Sequence, residues 1–177
     1  MRSYGLEGPV ERWESLRDEV AAEIEAHGFD ATRNTYTQYY GSTGVDAALL
    51  QLPQVGYLSA DDPRMLGTVA AIEEELLVDG LLLRYRTEMG VDGLPPGEHH
   101  FLACSFWLAE QYAASGRLAD ARSLMSTLTG FCNDVGMLSE EIDPTTGQHV
   151  GNTPQALSHL ALVRAADAIC AAARESS

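Results

Sequence analysis

Apolar residues recur every three or four positions along several separate stretches of this chain, and Gly or Pro stops each stretch. Only a helix returns side chains to one side at that spacing, so the pattern commits the chain to helices packed through a face. Trp13, Leu16, Val20 and Ile24 mark the first helix, which begins near Pro9 and ends at His27-Gly28. Glu14, Arg17, Asp18 and Glu23 face elsewhere. Residues 32–41 are rich in Thr and Tyr and alternate poorly, which predicts an extended connector or edge segment. A short helix is expected over residues 45–52, stopping at Pro53. Asp61-Asp62-Pro63 then supplies a cap and a first-turn Pro for a third helix through Leu66, Val69, Ala70, Leu76 and Leu77, with its stop at Asp79-Gly80. Glu73, Glu74 and Glu75 read as its solvated side.

Residues 81–98 form a loop longer than a plain helix connection needs, and loops of that length in a compact domain commonly serve function. A fourth helix holds Phe101, Leu102, Cys104, Ser105, Phe106, Trp107 and Leu108 and closes at Ser115-Gly116. A fifth follows at once with Ala121, Leu124, Met125, Leu128 and Phe131, so the two make an αα-hairpin. The last helix, over residues 154–173, opens with Pro154 at its first position and is apolar almost all round, which predicts packing on more than one side. The expected architecture is all-α, a single domain over residues 1–177 of about six helices, with residues 1–8 disordered.

With 26 Asp+Glu against 11 Lys+Arg, the formal charge of -15 repels a phosphate backbone and an anionic lipid surface, so neither nucleic acid nor membrane is an expected partner. A neutral ligand such as a sugar is not disfavoured. The start has no apolar core of the signal-peptide kind, and no later run reads as the roughly 18 apolar residues of a membrane span, so the expected compartment is the cytoplasm. Cys104, Cys132 and Cys170 fall in helical apolar patterns without metal-type spacing and read as reduced, buried thiols.

The chain has no phosphate loop with its Lys, no Cys-x-x-Cys, no His-Glu-x-x-His and no Gly-x-Ser-x-Gly elbow. His99 and His100 are adjacent but lack a ligand pattern, and no metal or cofactor is expected. The conspicuous chemistry lies between Gly136 and Gly147, where Ser139-Glu140-Glu141 precedes a rigid helix; connections of that kind often carry catalytic groups. Carboxylates, arginines and aromatics in loops are the inventory of a carbohydrate site. Cleaving a glycosidic bond takes one protonated carboxyl for the leaving oxygen and one ionised carboxylate acting on water or the sugar.

Several blocks, in order, resemble the C-terminal half of family-15 glycoside hydrolases, the glucoamylases and bacterial trehalases. They are Tyr39-Tyr40-Gly41-Ser42-Thr43-Gly44-Val45-Asp46-Ala47-Ala48-Leu49-Leu50, Leu83-Arg84-Tyr85-Arg86-Thr87-Glu88, Gly93-Leu94-Pro95-Pro96-Gly97-Glu98, Cys104-Ser105-Phe106-Trp107-Leu108, Leu138-Ser139-Glu140-Glu141-Ile142-Asp143-Pro144 and Gly151-Asn152-Thr153-Pro154-Gln155-Ala156-Leu157-Ser158-His159. The resemblance implies αα-hairpins forming about half of an (α/α)6 toroid, the six-hairpin glycosidase fold. It also implies inverting hydrolysis of terminal α-glucosidic bonds in an α-glucoside or glucan, with trehalose, maltose and longer glucans left open. On that resemblance Glu140 is the general base, Glu141 its neighbour and a loop ligand, Arg84 a sugar-hydroxyl ligand and Glu88 a companion. Trp107 reads as core rather than sugar platform, from the periodicity of its helix.

The family's general acid lies in an earlier Trp-Glu segment with no match here. Trp13-Glu14 is such a pair, but it falls on the exposed edge of an amphipathic helix in a different context. The fragment alone is therefore expected to be inactive, needing a second chain or the N-terminal half to complete the toroid. The alternatives are a non-catalytic helical scaffold or sugar-binding remnant, and an α-helical module for protein partners built on residues 116–121, which lacks a repeating period.

Overall fold

The computed structural model describes Gly5, residues 7–87 and residues 99–175. Helix α1 (Val10–His27) follows Pro9 and ends where the Gly28 amide donates to the Ile24 carbonyl (2.7 Å). A short hairpin, β1 (Phe29–Asp30) and β2 (Thr35–Tyr36), then turns through Asn34, whose φ is 53°. Its turn and β2 fall in the segment expected to be an extended connector, and β1 lies before it. A 3-10 helix (Ala47–Gln51) starts on Asp46, whose carboxylate accepts from the Ala48 amide (2.6 Å). Helix α2 (Pro63–Leu76) starts the same way, Asp62 accepting from the Arg64 amide (2.8 Å) with Pro63 in its first turn.

One carboxylate ties the N-terminal elements together. Glu25 of α1 accepts from the hydroxyls of Tyr57 (2.7 Å) and Tyr36 (3.1 Å) and from the Arg64 guanidinium (2.8 Å). The bond from Tyr57 does most to hold the Glu25 carboxyl below the usual carboxylate range, with Tyr36 and Arg64 adding to it against the cost of burial. Asn34 seals the hairpin to α2 by donating from its amide to the Pro63 carbonyl (3.0 Å). Gly67 lets the two approach: a Cβ there would overlap the Asn34 carbonyl oxygen.

The expected helix stop at Asp79-Gly80 is a different device. Helix α2 ends at Leu76, and β3 (Leu77–Val78) pairs antiparallel with β4 (Leu81–Leu82) across Asp79 and Gly80, at φ 52° and 79°. Two successive positive φ values make the two-residue turn whose twist matches a hairpin, and Asp-Gly favours it strongly. Leu77 therefore lies in a strand and not on the helix.

Helix α3 (Leu102–Ala114) is the centre of the molecule, with Leu102, Cys104, Phe106, Leu108 and Tyr112 all buried. It packs on α4 (Leu118–Thr129) and α5 (Ala156–Glu175), whose buried residues include the small Ala121, Ala161 and Ala165. The αα-hairpin of α3 and α4 forms as expected, and Trp107 is half-buried against the core. The last helix is packed on one side only: Leu157, Leu160 and Val163 are exposed, so its apolar circumference does not reflect burial all round. By length and composition alone α5 would also suit a membrane span, contrary to the sequence expectation, but its small residues seat it on α3. It begins at Ala156, after a cis Thr153–Pro154 bond, and not with Pro154 at its first position. Cys104 is buried as expected, Cys132 is half-buried in the turn after α4, and Cys170 is exposed.

The third sheet is antiparallel in the order β5 (His100–Phe101), β6 (Glu141–Asp143), β7 (Gln148–Val150). Residues expected to form a plain loop after α4 thus make a hairpin. His100 Nε2 donates to the Val78 carbonyl (2.9 Å) and ties this sheet to β3.

Gly67→Ala should destabilise the protein by about 1–3 kcal/mol, because the overlap with Asn34 outweighs the roughly 1 kcal/mol that removing a helical Gly gains. Urea midpoints of the two proteins check this. Glu25, lowered from 4.5, stabilises the fold above its ordinary value and loses that effect as pH falls through the lower folded one. The melting-temperature gap between wild type and Glu25→Gln should therefore be present near neutral pH and close well below pH 4.5.

Candidate active site

Glu140 stands at the entrance to β6, and its neighbours explain why it is held there. The β6–β7 register pairs Glu141 with Val150, yet the Glu140 amide donates to the Asn152 carbonyl (2.9 Å), one residue further than that register allows. Gly151, at φ 73°, is the extra residue, so the strand is bulged there. The bulge brings Asn152 onto the carboxylate: Glu140 Oε2 accepts from the Asn152 amide (3.1 Å) and from its side-chain Nδ2 (3.0 Å). A Cβ on Gly151 would stand 2.7 Å from that oxygen. Among the described residues nothing bonds to Glu140 Oε1.

The segment before Glu140 is strapped to the start of α5. The Gln155 amide donates to the Leu138 carbonyl (3.0 Å), the Leu138 amide to His159 Nε2 (3.1 Å), and the Ser158 hydroxyl to the Ser139 carbonyl (2.8 Å). Accepting at Nε2 places the His159 proton on Nδ1. Ser139 is fully buried and its hydroxyl donates to the Glu141 carbonyl (2.6 Å), so the small residue before Glu140 locks the turn rather than facing a ligand. On the other side the Leu102 amide donates to the Glu140 carbonyl (3.0 Å), fixing Glu140 to the first turn of α3.

Glu141 sits opposite Phe101 in the β5–β6 register. The Arg84 guanidinium lies 5.9 Å from the centre of the Phe101 ring and 4.5 Å from that of Tyr85, whose hydroxyl accepts from Arg84 Nη2 (2.8 Å). The tertiary fold therefore gathers Arg84, Tyr85, Phe101 and the Glu140–Glu141 pair, which sequence places far apart. Glu88 lies outside the described residues. Trp13 of the Trp13-Glu14 pair is exposed on α1, as expected.

Asp46 belongs to this neighbourhood and was visible in the sequence only as part of a matched block. Burial pushes its carboxyl above the ordinary value, opposed by the Ala48 amide, the Gln38 side chain (3.3 Å) and the positive charge of Arg84. The Ala47 amide also donates to the Arg84 carbonyl (2.8 Å), so the 3-10 helix and the Arg84 segment are held as one unit. An Asp before a helical start signals a cap, which hides any further role.

The helical hairpins, part of an (α/α)6 toroid, thus carry a carboxylate at a bulged strand and an arginine stacked on aromatics. A wild-type glycosidase structure matches 88% of this chain and 43% of its own with a TM-score of 0.75 at 21% identity. A bacterial glucoamylase complexed with acarbose matches 74% of this chain and 21% of its own, at 0.59 and 23%. The trehalase of Thermoplasma volcanium is 44% identical over 166 residues, and that of Mycobacterium tuberculosis 42% over 161. Residues 1–167 match glycosyl hydrolases family 15, and the chain belongs to that family. It spans about a quarter of the length of these curated relatives, 26% and 24%.

Gly151→Ala should strain a left-handed position and push Glu140 off Asn152, costing about 1–3 kcal/mol. Chemical denaturation gives the loss. The companion Asn152→Ala, which removes only the side-chain bond, should cost about 1 kcal/mol.

Proposed function

We propose that this chain is the base-bearing part of a family-15 α-glucoside hydrolase. The observation that carries this is Glu140 itself: one carboxylate oxygen is anchored by two Asn152 donors, while nothing among the described residues bonds to the other. In the reaction, Glu140 takes a proton from water as the water oxygen attacks the anomeric carbon from the face opposite the leaving group. The glycosidic C–O bond breaks, a carboxylic acid protonates the departing oxygen, and the sugar leaves with inverted configuration. Arg84, oriented by Tyr85 and held near Asp46, binds sugar hydroxyls, and Glu141 is a further ligand.

The acid comes from the part of a family-15 domain that this chain does not span, so the chain alone does not turn over substrate. Acid assistance and base assistance are each worth about two to four orders of magnitude, and losing either cripples the enzyme. Trehalose is the first substrate to test, because relatives 44% and 42% identical over this segment are trehalases.

In the assembled enzyme Glu140→Gln should lower kcat by about 10²- to 10⁴-fold with little change in KM, read as β-glucose released from trehalose and from maltose. Hydrolysis at the wild-type rate would remove Glu140 from the mechanism. Calorimetric binding of sugar without turnover in any assembly would favour the sugar-binding remnant instead.

A further inference from the structure

The backbone that leads into Glu140 is gripped by residues 152–159. The Glu140 amide donates to the Asn152 carbonyl, and the Ser139 carbonyl accepts from the Ser158 hydroxyl. Leu138 is held at both ends, its carbonyl by the Gln155 amide and its amide by His159 Nε2 (3.1 Å). Gln155, Ser158 and His159 are three and four residues apart, so they form one ledge at the start of α5. His159 is itself fixed there, because its amide donates to the Gln155 carbonyl (3.3 Å).

Of the side chains on that ledge only an imidazole can change charge near neutral pH. A backbone amide can only donate, so the ring nitrogen facing Leu138 must be bare whichever tautomer is drawn. Imidazolium carries a proton on both nitrogens and has no acceptor to offer. Protonation therefore turns a donor toward a donor and leaves the amide of a fully buried residue unsatisfied. Nothing nearby offsets the new charge. Helix α5 packs on α3, whose titratable residues are Cys104, Glu110 and Tyr112, and on α4, which carries Asp120 and Arg122. Glu110 is taken by Arg164 of α5 (3.1 Å) and Tyr112 by Glu73 (2.5 Å), while Asp120 and Arg122 are exposed. Cys104 is buried and Cys132 lies in the turn after α4; the base-bearing segment brings Glu140 and Glu141, and α5 adds Asp167. Among the described residues none of these forms an ion pair or hydrogen bond with the His159 ring.

We propose that His159 is a positioning residue for Glu140: its neutral imidazole holds Leu138, and with it the turn that presents the carboxylate to Asn152, and its protonation releases that turn. In the hydrolase this places an acid limit on activity at a residue that acts through the backbone. The inference rests on the proposed function only in naming Glu140 as the base; the hold on Leu138 is independent of turnover.

Nuclear magnetic resonance of the isotope-labelled chain, titrated from about pH 8 to about pH 4, tests this without any substrate. The Leu138 amide should lose about tenfold in protection against hydrogen exchange, at the midpoint shown by the His159 ring carbons. The Asn152 side-chain protons should exchange faster with water at that same midpoint, because their acceptor is Glu140. Amides of α2 should keep their protection, which marks the change as local. His159→Gln retains an acceptor that does not titrate, so Leu138 and Asn152 should stay protected across the whole range. His159→Leu offers no acceptor, and both should exchange fast at every pH. Should either variant fail to fold, the wild-type titration decides alone. Leu138 protection that persists while His159 takes up its proton overturns the inference, as does a ring that stays neutral throughout. So does a loss shared with α2, or one that survives in His159→Gln.

Discussion

Burial of α3 is the constraint on which the rest of the molecule depends. With Leu102, Cys104, Phe106, Leu108, Ala109 and Tyr112 out of water on different sides, α3 needs cover from several directions. Helices α4 and α5 supply it on one side, the 3-10 helix and β4 on another. Each buried large apolar side chain contributes about 1.5–3 kcal/mol, so this helix outweighs any single hydrogen bond elsewhere. Its first turn also receives the site, because the Leu102 amide holds the Glu140 carbonyl.

The site is built from devices that restrict Glu140 rather than from an abundance of charge. The Gly151 bulge moves Asn152 one residue out of register and onto the carboxylate. Buried Ser139 ties the turn to itself, and Ser158, Gln155 and His159 tie it to α5. The proposed base gains from such fixation because orientation is already set when substrate arrives. Arg84 is treated similarly, with Tyr85 and Phe101 against its guanidinium and Ala47 on its carbonyl.

Much of this was legible in the residues. The starts of α1 and α2 and the hairpin of α3 and α4 follow from helical spacing, an Asp-Pro cap and Gly stops, while the ordered blocks carry the resemblance to family 15. The short strands were not legible. Phe29–Asp30, Leu77–Val78 and His100–Phe101 are too brief for an alternating pattern to stand out, and the Asp79-Gly80 turn reads equally well as a helix stop. Asp46 was hidden within the short helix expected over residues 45–52.

Local spacing by itself determined that the chain is helical, where most of its helices begin, and that Glu140 follows a small residue in a connection before a long helix. It did not determine which apolar helix is central. Leu157, Leu160 and Val163 on α5 are as apolar as the residues of α3, yet only α3 is surrounded. Apolarity states that a side chain favours burial; which neighbours are present to bury it is a property of the assembled fold. The tertiary structure also decided that Glu140 and Glu141 have separate surroundings, one on Asn152 across a bulge and one opposite Phe101, because a strand register is set by pairing between distant segments and not by adjacent residues.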